Sequence, residues 1–254
     1  MAINKKEVEL IQSNLHCLCY SPGPIDGLLG RRTEGAFSLW QIDSGFEDIV
    51  TLKDELEKIE KQSSRIENLN SNAQENKDII SMTFSSKEAL IEAVCTYGPK
   101  FSLNLKAHWA YVLATIEWET NRSFLPIEEA YYIYGGTPSQ DDGKWQERES
   151  WRKRNFHYYP YYGRGYVQLT WERNYKFYAK LFGISLEQMV KKALEPGASL
   201  FVILHGMSVG YFGQSIHQHI TKNKYDFENA RRCVNGLDHA KDIAKLAKSW
   251  MKKI

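Results

Sequence analysis

No stretch of the 254-residue chain reaches the roughly 18 consecutive apolar residues that a membrane span needs. Nor does an apolar run precede Pro22, so the N-terminus does not read as a signal peptide. Cysteine is sparse, and Cys17, Cys19, Cys95 and Cys233 show no metal-ligand spacing; Cys17-x-Cys19 is too tight for a zinc knuckle. Of the seven histidines only His217 and His219 are close in sequence. Free buried thiols, no metal and no cofactor are the expectation. Gly163-Arg164-Gly165 lacks the further glycines and the lysine of a phosphate loop. Arg152-Lys153-Arg154, with Trp151 and Tyr158 beside it, has the character of a strand-stacking basic patch. No helix-turn-helix or zinc signal accompanies it, so nucleic acid is not the expected partner.

What the chain does have in excess is aromatic side chains, with 15 Tyr and 7 Trp. Such rings stack on sugar faces and also fill cores, so they hint at carbohydrate without establishing it. Charge is unevenly placed. Residues 1–75 hold 8 Lys and Arg against 13 Asp and Glu, whereas residues 76–254 hold 25 against 18. The basic second part would be drawn to a polyanion such as nucleic acid or an anionic cell wall.

Two parts and a polar spacer are expected: residues 1–60, a linker over 61–79 with its hinge near 66–78, and residues 80–254. In the first part Val8, Ile11, Leu15 and Leu18 recur at helical spacing, which predicts an amphipathic helix from Lys6 to Cys19. A loop follows at Tyr20-Ser-Pro-Gly-Pro. Gly27 and Gly30 are expected at positive φ, and Thr33 as the cap of a second helix with Ala36, Phe37 and Trp40 inside. From Leu52 to Ile66 a thin apolar stripe gives way to an Asn-rich polar stretch, a solvated spacer.

The second part should be mostly helical, over Lys87–Cys95 after Ser85 or Ser86, Lys106–Thr120, Leu186–Lys192, Ser199–Phe212, Phe227–Cys233 and His239–Met251. Lys106–Thr120 is apolar on most sides and should be buried. The polar, aromatic stretch between Gly135 and Tyr162 reads as a long loop. Tyr166 to Thr170 reads as extended, with Gln168 and Thr170 on one face and Val167 and Leu169 on the other.

Glu119 closes the central helix after Ala114, Thr115, Ile116 and Trp118. An apolar setting raises a carboxyl's pKa and keeps it protonated near neutral pH, as a general acid requires. Glu117 lies about 200° round the helix and cannot face the same cleft. For either glutamate the plainer alternative is a buried ion pair with an arginine. Glu129 lies beyond Pro126, and Glu128 is its adjacent rival. A pair of carboxyls about 6.5–9.5 Å apart admits a water and predicts inversion, whereas about 5–5.5 Å predicts a covalent intermediate. Beside such a pair, Gln168 and Thr170 would hold an N-acetyl group or position the water.

The stretches AYVLATIEWET, FLPIEEAYY, YYGRGYVQLTWERNY and NARRCVNGLDHAKDIAKLA together resemble the family 19 glycoside hydrolases, which comprise chitinases and compact phage endolysins. The resemblance implies a bilobal, lysozyme-like, all-α dominated domain. It implies Glu119 as general acid, Glu129 as general base, Gln168 and Thr170 as holders of substrate or water, Asn174 as the asparagine that comes next in the motif, and Asn235 as a sugar ligand. Trp118 stands where the family has histidine, Asn121-Arg122 where it has two glycines, and Glu128 where it often has arginine. That extra carboxylate is expected to raise the pKa of Glu129. VELIQSNLHCLCYSPGPIDGLLGRRTEGAFSLWQID is similar to the small three-helix peptidoglycan-binding module of wall hydrolases, with Trp40 where phenylalanine is commoner.

These resemblances imply an endolysin that binds bacterial peptidoglycan and hydrolyses its β-1,4 bonds, as a monomer without membrane insertion. It would wait in the host cytoplasm and reach the wall through a membrane pore. A chitinase is the alternative enzyme, and a wall-binding protein with a dead site the non-enzymatic one.

Overall fold

The computed structural model describes residues 4–17, 20, 22–44, 77–138 and 143–254. Helices dominate it. Among the described residues the one sheet is a two-stranded antiparallel pair, Ile127–Glu128 (β1) against Arg164–Gly165 (β2).

At the N-terminus, α1 (Lys5–Cys17) packs on α2 (Arg31–Ser44), burying Val8, Ile11, Leu15, Ala36, Phe37 and Trp40. Gln12 is buried and ties the intervening loop together. Its amide nitrogen donates to Asp26 Oδ1 at 3.0 Å and to Thr33 Oγ1 at 3.1 Å, and its oxygen accepts from the backbone of Asp26 and Gly27. Thr33 therefore does not cap α2. It sits inside the first turn and donates to Pro22 O. Gly27 has the expected positive φ of 72°, but Gly23 (93°) rather than Gly30 shares it; Gly30 leads directly into α2. Leu18 and the spacer stripe from 52 to 66 lie outside the described residues. At the end of the expected linker, α3 (Lys77–Ile80) is helical and Ile79 is fully buried.

In the second part, α4 (Lys87–Tyr97) starts at Ser86, whose hydroxyl accepts from Ala89 N at 3.2 Å. The centre is α5 (Lys106–Glu119), in which Ala110 to Ile116 are buried without a break. Full burial of each large aliphatic side chain contributes about 1.5–3 kcal/mol, which suits a helix with no polar face. Between α5 and the C-terminus run α6 (Trp145–Asn155), α7 (Glu172–Phe182), α8 (Leu186–Lys192), α9 (Pro196–Val209) and α10 (Ala240–Lys253). The last packs along α5 through Ile243, Ala244, Ala247 and Trp250. Helix α9 begins three residues before its expected start because Pro196 fits the first turn, and Gly210 at φ 75° stops it. A Cβ at Gly197 would lie 2.1 Å from Ile79 O, so this contact between α9 and α3 requires glycine. Phe227–Cys233 is a short 3₁₀ helix over Asn229–Cys233.

Three expectations fail here. The stretch from Gly135 to Tyr162 is not all loop, since it contains α6, whose buried residues are Arg148 and Arg152. Helix α7 has no counterpart among the expected elements. Tyr166–Thr170 is not extended: Gln168 has φ 53°, and an Arg164–Leu169 bridge closes a tight turn. From Val167 to Thr170 burial still alternates, with Val167 and Leu169 inside, but Tyr166 is buried as well.

After α5 the chain turns through left-handed residues, Asn121 at φ 47° and Arg122 at φ 64°. These are the two positions where the resembled family has glycine. Asparagine tolerates this region, whereas arginine is strained there. Arg122→Gly should therefore stabilise the fold by about 0.5–1 kcal/mol, because relief of strain exceeds the added entropy of the unfolded chain. A rise in the urea midpoint checks this, and a fall would mean that the arginine side chain contributes more than the strain costs.

Candidate active site

Glu119 and Glu129 line one cleft of about 600 Å³, together with Gln168, Thr170, Asn174 and Asn235. Three elements deliver all of them but Asn235, which follows the 3₁₀ helix Asn229–Cys233. Glu119 is the last residue of α5, Glu129 directly succeeds β1, and Gln168 to Asn174 come from the turn after β2 and the start of α7. Glu119, Glu129 and Gln168 also line a second cleft of about 400 Å³, with Trp118, Tyr132 and Trp151.

The surroundings of Glu119 differ from the apolar enclosure expected. Its Oε1 accepts from Arg231 Nη1 at 2.7 Å, and Arg231 is in turn fixed by donation from Nε to Asp238 O at 3.1 Å. The ion pair with an arginine, the plainer alternative for this glutamate, thus exists. It does not remove Glu119 from the cleft, because the glutamate side chain keeps 16% exposure against 4% for Arg231, and both line the cavity. Glu117 is occupied elsewhere, accepting from Trp250 Nε1 at 2.8 Å.

Besides its carbonyl, which Arg152 holds, Glu129 is fixed through its N–H and both carboxylate oxygens. Its backbone N–H donates to Gly163 O at 2.7 Å, Gly163 N donates to its Oε2 at 2.8 Å, and Tyr158 donates to its Oε1 at 2.8 Å. Burial, and then the hydrogen bond to Glu129, raise the Tyr158 hydroxyl well above the ordinary tyrosine value, so it remains a donor. The Gly-Arg-Gly segment that leads into β2 is close against the carboxylate: a Cβ on Gly163 would lie 2.8 Å from Gln168 Oε1 and 3.3 Å from Glu129 Oε2.

Glu128 points away from that arrangement. It is buried and accepts from Arg152 Nη1 at 3.0 Å, Tyr162 OH at 3.0 Å and Arg164 Nε at 3.3 Å. The extra negative charge expected beside Glu129 is therefore matched by two guanidinium groups. Arg152 also donates from Nε to Glu129 O at 3.0 Å and pairs with Glu149, so the Arg152-Lys153-Arg154 run is not an exposed cationic triplet. Arg164 donates to Pro160 O and Tyr175 OH at 3.0 Å each, a structural role.

The polar side chains opposite are locked to the backbone. Gln168 Nε2 donates to Ile127 O and Gly165 O, Thr170 Oγ1 to Gln168 O, and Asn174 Nδ2 to Thr170 O. Asn235 is exposed at the rim and accepts from Gly236 N. Sequence reasoning missed Arg231 and Tyr158. The signal for Arg231 was present in kind, since a largely buried carboxylate needs a partner, but nothing in the sequence says which arginine.

Comparison of the chain with family models, with curated proteins and with solved structures finds no match.

Proposed function

We propose that the chain is a peptidoglycan-cleaving glycoside hydrolase of the endolysin type, related to family 19, with a lysozyme-like bilobal arrangement around the cleft. The N-terminal part, residues 1–60, would hold the wall, and residues 80–254 would cut it. The observation that carries this reading is that Glu119 and Glu129 line the same cleft and that their settings differ. Glu119 meets a guanidinium through one oxygen, which fixes the carboxyl. A neighbouring cation by itself favours a carboxylate, so the general-acid role rests on the shared cleft, with the proton for the leaving glycosidic oxygen assigned to Oε2. Glu129 accepts one hydrogen bond on each oxygen. An ionised carboxylate has about four acceptor positions, so capacity remains to take a proton from an attacking water. Gln168, Thr170, Asn174 and Asn235 are proposed to hold the amino sugar. The second cleft beyond the pair supports an endo-acting enzyme, because substrate must extend to both sides of the bond that is cut.

Mass spectrometry of purified peptidoglycan after digestion tests the reading. New reducing ends on muropeptides, with masses raised by one water per cut, are expected. Products with intact glycan chains would overturn it, and cleavage of chitin with no action on peptidoglycan would point instead to a chitinase.

A further inference from the structure

Glu119, Glu129 and Gln168 belong to both clefts, so the cavity of about 400 Å³ is continuous with the carboxylate pair. Much of its remaining lining is aromatic: Trp118, Tyr131, Tyr132, Trp151 and Phe156. Trp118 is braced by His239, with ring centroids 4.8 Å apart, and Trp151 meets Phe156 edge-on at 5.5 Å. Tyr132 stands edge-on to Tyr131 at 5.9 Å and is 65% exposed. A ring so exposed contributes little to the core and offers most of its surface to a ligand.

Among the described residues that line this cleft, the charged ones are all carboxylates, Glu119, Glu128 and Glu129. Glu128 is matched by Arg152 and Arg164, and Glu119 by Arg231. Those guanidinium groups do not line the cleft, so an incoming anion would meet carboxylates without a cation. The backbone is also unusual here. Asn121 (φ 47°), Ala130 (φ 57°) and Gln168 (φ 53°) are left-handed and line the cleft. Ala130 lies between Glu129 and Tyr131, and it has no polar side chain to compensate that conformation. Strain of this kind persists only where the surroundings enforce it, and it clusters at ligand sites.

We infer that this second cleft is a subsite for one uncharged, hence N-acetylated, amino sugar that carries no peptide branch, with Tyr132 as its stacking platform. The inference rests on the glycan-cleaving reading for the identity of the ligand. The apolar face of a pyranose packs on a ring, and its hydroxyls need only neutral partners, such as the amides of Asn121 and Gln168 in the lining. Peptidoglycan alternates an unbranched amino sugar with one that bears an acidic peptide stem. Seating the unbranched unit here puts the branched one on the other side of the carboxylates, in the cleft of about 600 Å³. Only one of the two kinds of glycosidic bond then reaches Glu119 and Glu129.

Binding of two soluble probes by the full-length chain tests this, with Glu119→Gln present throughout to prevent turnover. One probe is neutral chitotetraose, the other a peptidoglycan tetrasaccharide with its peptide stems. Tyr132→Ala should weaken both by roughly three- to tenfold, the scale of a lost ring contact, and by the same factor within about twofold, because this cleft meets only the unbranched unit. Tyr132→Phe keeps the ring and should bind both probes within about twofold of the parent. Tyr225→Ala, which removes an exposed aromatic that lines neither cleft, should change neither. Undiminished binding of chitotetraose by Tyr132→Ala would overturn the subsite. A markedly greater loss on the stem-bearing probe would show that the branch touches this cleft and would overturn the unbranched assignment. If the expected pattern appears while the chain with Glu119 restored cuts neither probe, the subsite stands and the hydrolase reading falls. If the restored chain cuts glycan while Tyr132→Ala binds as the parent does, the hydrolase reading stands and the subsite falls.

Discussion

Glu119→Gln should leave the protein folded and able to hold sacculi, while the rate of glycan cleavage falls by roughly 10²–10⁴-fold or more. The amide has nearly the shape of the acid, and its oxygen can still accept from Arg231 Nη1. What it lacks is an acidic proton for the departing sugar oxygen. Glu129→Gln should be comparably severe for a different reason. Tyr158 and Gly163 each donate to one oxygen of Glu129, so an amide must set an NH₂ against a donor as well as lose its basicity. Glu117→Gln is the internal control, because an amide oxygen can still accept from Trp250 Nε1, and its rate should stay within a few-fold of the parent. Direct attack by water gives an α-configured first product, which NMR of a fresh digest reads. Retention would recast Glu129 as a nucleophile or pass that role to the substrate's acetamide. Full activity in Glu119→Gln would end the general-acid assignment.

Arg152→Met should cost about 3–5 kcal/mol of stability, the usual penalty for removing one member of a buried charge cluster. That is a large share of the roughly 5–15 kcal/mol that holds a typical domain. Arg152 is fully buried, bridges Glu128 and Glu149, and donates to the carbonyl of Glu129. Its loss leaves Glu128 with Arg164 as its charged partner in the cluster. Urea denaturation followed by fluorescence provides the measurement. Adding Glu128→Met to Arg152→Met should recover part of the loss, since the orphaned charge is then gone. A single-mutant cost below about 1 kcal/mol would show that the cluster is solvated rather than structural.

How much of the molecule is legible in the sequence depends on whether the signal is local. The six residues singled out in the sequence line one cleft; helical spacing reaches Glu119, whereas Asn174 and Asn235 are singled out only through the family resemblance. Helix α6 is illegible for a physical reason. Periodicity detects apolar stripes, and the buried face of this helix consists of Arg148 and Arg152, which look like solvent-facing residues until their partners are known. Helix α7 does carry a stripe, Tyr175, Tyr178, Ala179 and Phe182, masked when the preceding turn is read as an extended segment running toward it. The left-handed Gln168 could not be foreseen, since nothing in Val-Gln-Leu-Thr calls for it. The Glu119–Arg231 pair joins residues 112 positions apart, and separations of that size are set by the fold as a whole.

Arg152 grips the side chain of Glu128 and the carbonyl of Glu129 at once. The portable unit of this site is therefore larger than two carboxylates. A designer who grafted Glu119 and Glu129 onto another helical scaffold would move the letters without the grammar. Glu129 takes its position from a buried guanidinium, and that guanidinium is tolerable only among its acidic neighbours. The graft would have to carry α6, the Gly-Arg-Gly segment and Glu128 with it, or the second carboxylate would arrive without an address.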